Sequence, residues 1–136
     1  ANGVVMNQEA EIRAVIDRYA DAVLANDIAT ALDCYAEDIV LHWHGRHALA
    51  GSHRGKDAAV KALIAFAQRT ERKFLDFPAR FYGPVRGGVI SREALGIGDA
   101  RTEVERVLIY AVRDGRFTEC WVYDADPDLI DRTVGR

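Results

Sequence analysis

Three histidines, His42, His44 and His47, form an H-x-H-x-x-H pattern. In an extended segment His42 and His44 project to the same side, because strand side chains alternate faces. Paired imidazoles suit proton transfer near neutral pH. They also suit chelation of zinc or another divalent ion, with Glu103 or Glu105 completing the set. A solvated strand end is the plainer reading. Asp124 is the leading carboxylate, sharing one strand face with Val122 and Asp126. Within an apolar hollow a carboxylate has a raised pKa and can act as acid or base. Its plainer role is to cap the turn that begins at Asp126-Pro127. Tyr19 lies on an apolar helical stripe, either as a core tyrosine or as a hydroxyl donor into a cavity. Trp43, Phe81, Tyr110 and Tyr123 can wall in a flat, ring-containing ligand. Arg92 and Glu93 read as a substrate-orienting pair or, more simply, as solvent-facing cross-strand charges. Glu103-Val104-Glu105-Arg106 alternates in character like an exposed sheet face.

The elements that must position these groups follow from periodicity. Asn7 reads as an N-cap, and Ile12, Val15, Ile16, Tyr19, Val23 and Leu24 then recur at helical spacing. Asn26-Asp27 breaks this helix and caps a shorter one carrying Ile28, Ala31, Leu32 and Tyr35. Residues 39–44 read as a strand, 46–54 as a polar loop and 56–68 as a third helix. Strands follow over 73–85, 89–97, 101–112 and 116–123, with Pro78 and Pro84 marking edge or bulge positions. Arg113-Asp114-Gly115 is a hairpin signal, and Asp126-Pro127-Asp128 starts a terminal turn or helix. Strands grouped after helices predict an α+β class with a mostly antiparallel sheet. A curved sheet wrapping three helices leaves a conical cavity, a common place for small ligands.

Composition narrows the function classes. The 136 residues suit one domain, with residues 1–6 read as a flexible start and Met6 as a possible natural beginning. Eighteen basic against 21 acidic residues give a net charge of -3, which speaks against a nucleic-acid footprint. No apolar run reaches the ~20 residues of a membrane span. Cys34 and Cys120 form no C-x-x-C pair and read as buried thiols in a reducing cytoplasm. Gly87-Gly88 and Gly96-Ile97-Gly98 lack the context of a phosphate loop, and Ser52 and Ser91 lack that of a nucleophile elbow.

Four stretches together resemble the SnoaL-like branch of the NTF2-like superfamily, which is related to ketosteroid isomerases, polyketide cyclases and limonene epoxide hydrolases. They are Ile12 to Tyr19 with Asn26-Asp27 and Tyr35-Ala36-Glu37-Asp38; His42-Trp43-His44-Gly45 with Ala50 to Lys56; Val104-Glu105-Arg106; and Val112 to Phe117 leading to Glu119-Cys120-Trp121-Val122-Tyr123-Asp124. The resemblance implies a cone of three N-terminal helices packed in a curved sheet. It matches Tyr19 to a tyrosine that donates to the substrate oxygen. It puts Trp43 where isomerase-like members carry a carboxylate base, and Val122 where cyclases often carry Asp. Epoxide hydrolysis would need an Asp-Arg-Asp set, for which Arg92 and Asp126 supply two members.

The resulting expectation is a cofactor-free, metal-free enzyme of isomerase, cyclase or dehydratase type, acting on an apolar carbonyl-bearing, polyketide- or steroid-like molecule. Asp124, Tyr19, His42 and His44 are its candidate catalytic groups, and Trp43, Phe81, Arg92, Tyr110 and Val122 its candidate substrate contacts. The alternatives are a non-catalytic binding or association domain and an epoxide hydrolase. The resemblance implies a homodimer, with Trp121 and outward apolar residues at the interface.

Overall fold

The computed structural model describes residues 2–96 and 98–136, with side chains from Gln8 onward. The first helix, α1 (Asn2–Leu24), begins before the expected Asn7 cap, so residues 2–6 continue the helix; Ala1 lies outside the described residues. Its stripe of Ile12, Val15, Ile16 and Ala20 is buried, as helical spacing requires. Asn26 takes a positive φ of 56° to turn the chain. Asp27 then caps α2 (Ile28–Asp33), its carboxylate accepting from the Thr30 amide at 3.2 Å and hydroxyl at 2.7 Å.

The strands are β1 (Tyr35–Trp43), β2 (Gly51–Arg54), β3 (Lys73–Tyr82), β4 (Gly87–Leu95), β5 (Thr102–Arg113) and β6 (Arg116–Asp124). The third helix, α3 (Lys56–Thr70), precedes β3, and α4 (Pro127–Val134) follows β6. The sheet order is β2-β1-β6-β5-β4-β3, antiparallel throughout except for the β1–β6 pair. Class and architecture therefore agree with the sequence reading. Two boundaries do not. β1 starts at Tyr35 instead of Ile39, across a register shift between Tyr35 and Val40. β2 occupies part of the segment read as a loop. It is a polar edge strand, held by its ladder to β1 and without an apolar face to announce it.

Pro78 fits because β3 is the opposite edge and its register slips on either side of Asp76. Asp114 and Gly115 both take positive φ, 53° and 75°, giving a tight β5–β6 hairpin. At Gly87 a Cβ would come within 2.8 Å of Ile12 and Ile16, so the bare backbone lets β4 pack against α1. Arg80 and Tyr82 of β3 reach α1 as well. Arg80 donates to Asp17 at 3.1 Å and to Asp21 at 2.8 Å, and the Tyr82 hydroxyl donates to Asp17.

β1 decides which way the histidines look. Ile39, Leu41 and Trp43 are buried on its inner face. His42 and His44 therefore project from the outer face. His42 bonds Glu119 at 2.7 Å and Ser52 at 3.0 Å and stacks on Trp121. His44 is exposed and stacks on Tyr123. His47, in the following loop, is buried; its Nδ1 accepts from the Leu49 amide, and desolvation lowers its pKa. The three rings do not converge, and among the described residues no three His, Cys, Asp or Glu side chains gather as a metal-binding set.

Candidate active site

Helices α1, α2 and α3 close over the inner face of the sheet and leave a cavity of about 260 Å³. Its walls are mainly apolar: Leu32, Leu41, Val60, Leu63, Phe66, Phe77 and Leu108 among them. Ile28 and Ile64 line it while remaining more than half exposed, which puts them at its mouth. Polar groups enter at two places. One is the phenol pair Tyr19 and Tyr35. The other is a cluster of Arg72, Ser91, Glu93 and Arg106.

The cluster follows from strand alternation. Val89, Ser91, Glu93 and Leu95 share the inner face of β4, as Val104, Arg106, Leu108 and Tyr110 share that of β5. Glu93 and Arg106 are only 2% and 3% exposed. This corrects the sequence expectation of solvent-facing charges at Glu93 and Arg106, whereas Glu103 and Glu105 are exposed as expected. Charged groups survive such burial only when paired. Glu93 Oε1 accepts from Arg72 Nε at 2.6 Å and Arg106 Nη1 at 3.5 Å, and its Oε2 accepts from the Ser91 hydroxyl at 2.7 Å. Burial raises the Glu93 pKa, but the Arg106 and Arg72 charges and the Ser91 hydrogen bond outweigh it, so the net shift is downward. Glu93 is thus an ionised carboxylate on the cavity wall.

Asp124 sits on the inner face of β6, as alternation predicts, but it does not line the cavity. Its carboxylate accepts from Arg106 Nε at 2.5 Å and from Trp43 Nε1 at 3.4 Å. Its side chain is 2% exposed. Arg106 therefore lies between two carboxylates, with its guanidinium carbon 4.2 Å from the centre of the Phe66 ring.

The phenols have an order of their own. Tyr35 Oη donates to Tyr19 Oη at 3.4 Å, which leaves the Tyr19 proton free to donate onward. Burial raises the pKa of both, so both remain protonated. Cys120 also lines the cavity, its thiol pushed up to about 12 by burial and hence unreactive as a thiolate. It and Cys34 are free and buried.

Of the expected site residues, Tyr19 alone lines the cavity. Trp43 and Val122 lie on the inner face but are packed into the core. Tyr110 stacks on Phe117 at 3.8 Å, and its buried hydroxyl has no hydrogen-bond partner among the described residues. Tyr110→Phe is accordingly expected to leave stability unchanged or raise it by up to about 1 kcal/mol in urea unfolding; a loss above that would show that the hydroxyl is satisfied. Phe81 is 37% exposed and would abut a Cβ placed at Gly88. Arg92 does meet two carboxylates, Asp76 and Glu103 at 2.8–2.9 Å, but away from the cavity. Sequence reading offered Glu93 only as a partner of Arg92, preferring a solvent-facing charge, and gave no site role to Arg106, Arg72 or Ser91. For Ser91, Glu93 and Arg106 the signal available was their alternation in register with Val89, Leu95, Val104 and Leu108; Arg72, in the link between α3 and β3, carried none.

Comparison with known proteins fits this geometry. A family model described as a SnoaL-like domain matches residues 16–120. No curated protein sequence matches the chain. Among solved structures it is similar to Bal32a from a soil-derived mobile gene cassette, at 19% identity and a TM-score of 0.81, covering 94% of this chain and 99% of that one. It is similar to an NTF2-like protein from Burkholderia xenovorans LB400, at 22% identity and a TM-score of 0.73, covering 93% and 98%. A protein from Silicibacter sp., provisionally assigned as a polyketide cyclase, aligns at 21% identity with a TM-score of 0.65, covering 92% and 96%. At these identities the likeness establishes the NTF2-like fold. Among the described residues no helix is long and apolar enough to cross a membrane.

Proposed function

The chain belongs to the SnoaL-like domain family, and we propose that it is a small enzyme performing acid/base chemistry on an apolar, carbonyl-bearing molecule. The observation that carries this reading is an ionised carboxylate, Glu93, on the wall of an otherwise apolar cavity that also presents a free phenol donor. Glu93 accepts a proton from the carbon beside the carbonyl. Tyr19, kept protonated by burial and already accepting from Tyr35, donates to the oxygen on which negative charge grows. Returning the proton to another carbon gives isomerisation; attack of the enolate on a second carbonyl gives cyclisation. Asp124 holds Arg106, and Arg106 holds Glu93, so in this reading Asp124 is a positioning residue.

Solvent exchange tests the reading without knowledge of the natural substrate. The protein should accelerate deuterium uptake at the α-carbons of 2-indanone in D₂O, followed by NMR. Asp124→Asn should slow this about tenfold or more while binding of the ketone persists. Exchange no faster than in buffer, with the ketone bound, would leave a binding domain and sink the catalytic reading.

One observation favours a second reading. Arg106 between Glu93 and Asp124 is a carboxylate–guanidinium–carboxylate set at a cavity, whereas the set of Arg92 with Asp76 and Glu103 lies away from it. In epoxide hydrolysis Glu93 would take a proton from the attacking water, a carbon–oxygen bond of the epoxide would break, and Tyr19 would protonate the departing alkoxide. Release of trans-1,2-cyclohexanediol from cyclohexene oxide distinguishes the two.

A further inference from the structure

The outer face of the sheet carries a set of groups that the cavity chemistry leaves unused. His42 stands between Ser52 on β2 and Glu119 on β6. Its Nε2 lies 2.7 Å from Glu119 Oε2, and its Nδ1 lies 3.0 Å from Ser52 Oγ. The direction of these bonds follows from the groups themselves. A carboxylate only accepts, so in the neutral ring Nε2 carries the hydrogen and Nδ1 the lone pair. Ser52 then donates to Nδ1. Trp121, stacked on the imidazole at 5.3 Å, holds the ring in place. The Gly55 amide donates to Ile39 O at 2.7 Å, and the alternation of an antiparallel ladder sends the Ser52 amide away from β1, to the open edge of β2.

We propose that Ser52, His42 and Glu119 form a second catalytic centre, an esterase site for esters of flat, apolar acids, on the face of the sheet opposite the cavity. A hydroxyl donating to an imidazole that in turn donates to a carboxylate is the polarity of a serine nucleophile with its base, and it is recognised by roles, not by chain order. Ser52 therefore needs no nucleophile elbow; its base comes from the neighbouring strand. Ser52 Oγ bonds to the ester carbonyl carbon as its proton passes to His42 Nδ1. The Ser52 amide is placed to donate to the oxygen that gains charge. The bond to the leaving alcohol breaks, and that oxygen takes the proton from Nδ1. Water then attacks the acyl-serine, its proton passing through Nδ1 back to Ser52 Oγ, and the acid departs. The acyl class follows from the row in which these groups lie. Ser52, His42, Trp121, Ile109, Gly88 and Phe81 are register partners across all six strands. Beyond His42 this row is apolar, with Trp121 and Ile109 half-buried and Phe81 exposed. A flat acyl group on Ser52 has that surface to lie on.

Hydrolysis of 4-nitrophenyl benzoate at neutral pH tests the proposal. The protein should release nitrophenolate in a burst, and acid-quenched protein should carry one benzoyl group, mapped to Ser52 by mass spectrometry. Ser52→Ala should slow hydrolysis about tenfold or more and abolish the label. Ser52 is exposed, so the circular dichroism spectrum of this variant should match the wild type. Glu119→Gln should lower kcat with KM unchanged, and Glu119→Asp should restore part of the rate, as expected of a positioning residue. A lone surface imidazole also cleaves such reagents, but its rate would survive Ser52→Ala. That survival, or a benzoyl group found elsewhere than on Ser52, overturns the proposal. Acceleration over buffer no greater for the benzoate than for 4-nitrophenyl acetate overturns the assigned acyl class.

Discussion

Arg106→Met should lower the free energy of unfolding by about 3–5 kcal/mol, a large part of the stability of a domain this size. The substitution roughly keeps the volume and removes the cation that, among the described residues, touches both Glu93 and Asp124. Asp124 would retain only Trp43 Nε1 at 3.4 Å, and Glu93 only Arg72 and Ser91. Two carboxylates whose side chains are each 2% exposed would then share an undercompensated negative charge. Urea unfolding monitored by tryptophan fluorescence reads this directly, as a lower midpoint at unchanged slope. A loss below about 1 kcal/mol would mean that water reaches the cluster and screens it. The complementary triple variant, with Glu93, Arg106 and Asp124 all replaced by Met, should recover most of the loss, because removing a whole buried ion set is often neutral or stabilising. Recovered stability without deuterium exchange would show that the cluster is retained for chemistry.

Glu93→Gln is the second large effect. A glutamine of the same shape cannot accept the proton, so exchange should fall by about 10²–10⁴-fold, the usual contribution of a positioned base. The pH profile gives a finer check. The folded-state pKa of Glu93 is lowered, with Arg106 and Arg72 together overcoming burial. Its contribution to stability is therefore complete above the unfolded carboxylate value of about 4.3 and is lost as pH falls through the lower folded value. Activity carried by Glu93 should stay level from neutral pH down to about 4.3 and decline only below it. An acid limb near pH 6–7 would instead assign the proton transfer to another group. The neutral-pH circular dichroism spectrum of the variant must match the wild type for the rate loss to count.

Most of the architecture was legible because it is written in apolar periodicity. The α1 stripe, the β5–β6 hairpin at Asp114-Gly115 and the edge position of Pro78 all express local rules that operate wherever they occur. The charged corner of the cavity was not, because charge in a sequence reads as solvent exposure until its partner is known. Glu93 meets Arg72 twenty-one residues earlier, and Arg106 meets Asp124 eighteen residues later. Nothing local tells Arg106, which is buried, from Glu105, which is exposed, except that Val104 and Leu108 share the parity of Arg106. The histidines illustrate the same point in reverse. Their chemistry was conspicuous, and the burial of Trp43 between them sends both outward.

The parallel pairing of β1 with β6 has a consequence for how the protein is made. The first strand in the chain finds its inner neighbour only in the last, with Val40 beside Glu119 and Trp43 beside Val122. Before β6 leaves the ribosome, β1 has β2 alone, and the hydrogen-bonding edge that β6 will occupy stands open. The floor of the cavity cannot close until translation is nearly complete. Long-range closure of this kind slows folding and exposes an unpaired strand meanwhile. A stall or premature stop within β5 would release a chain with a ready template for aggregation, so early-terminated copies should burden chaperones out of proportion to their length.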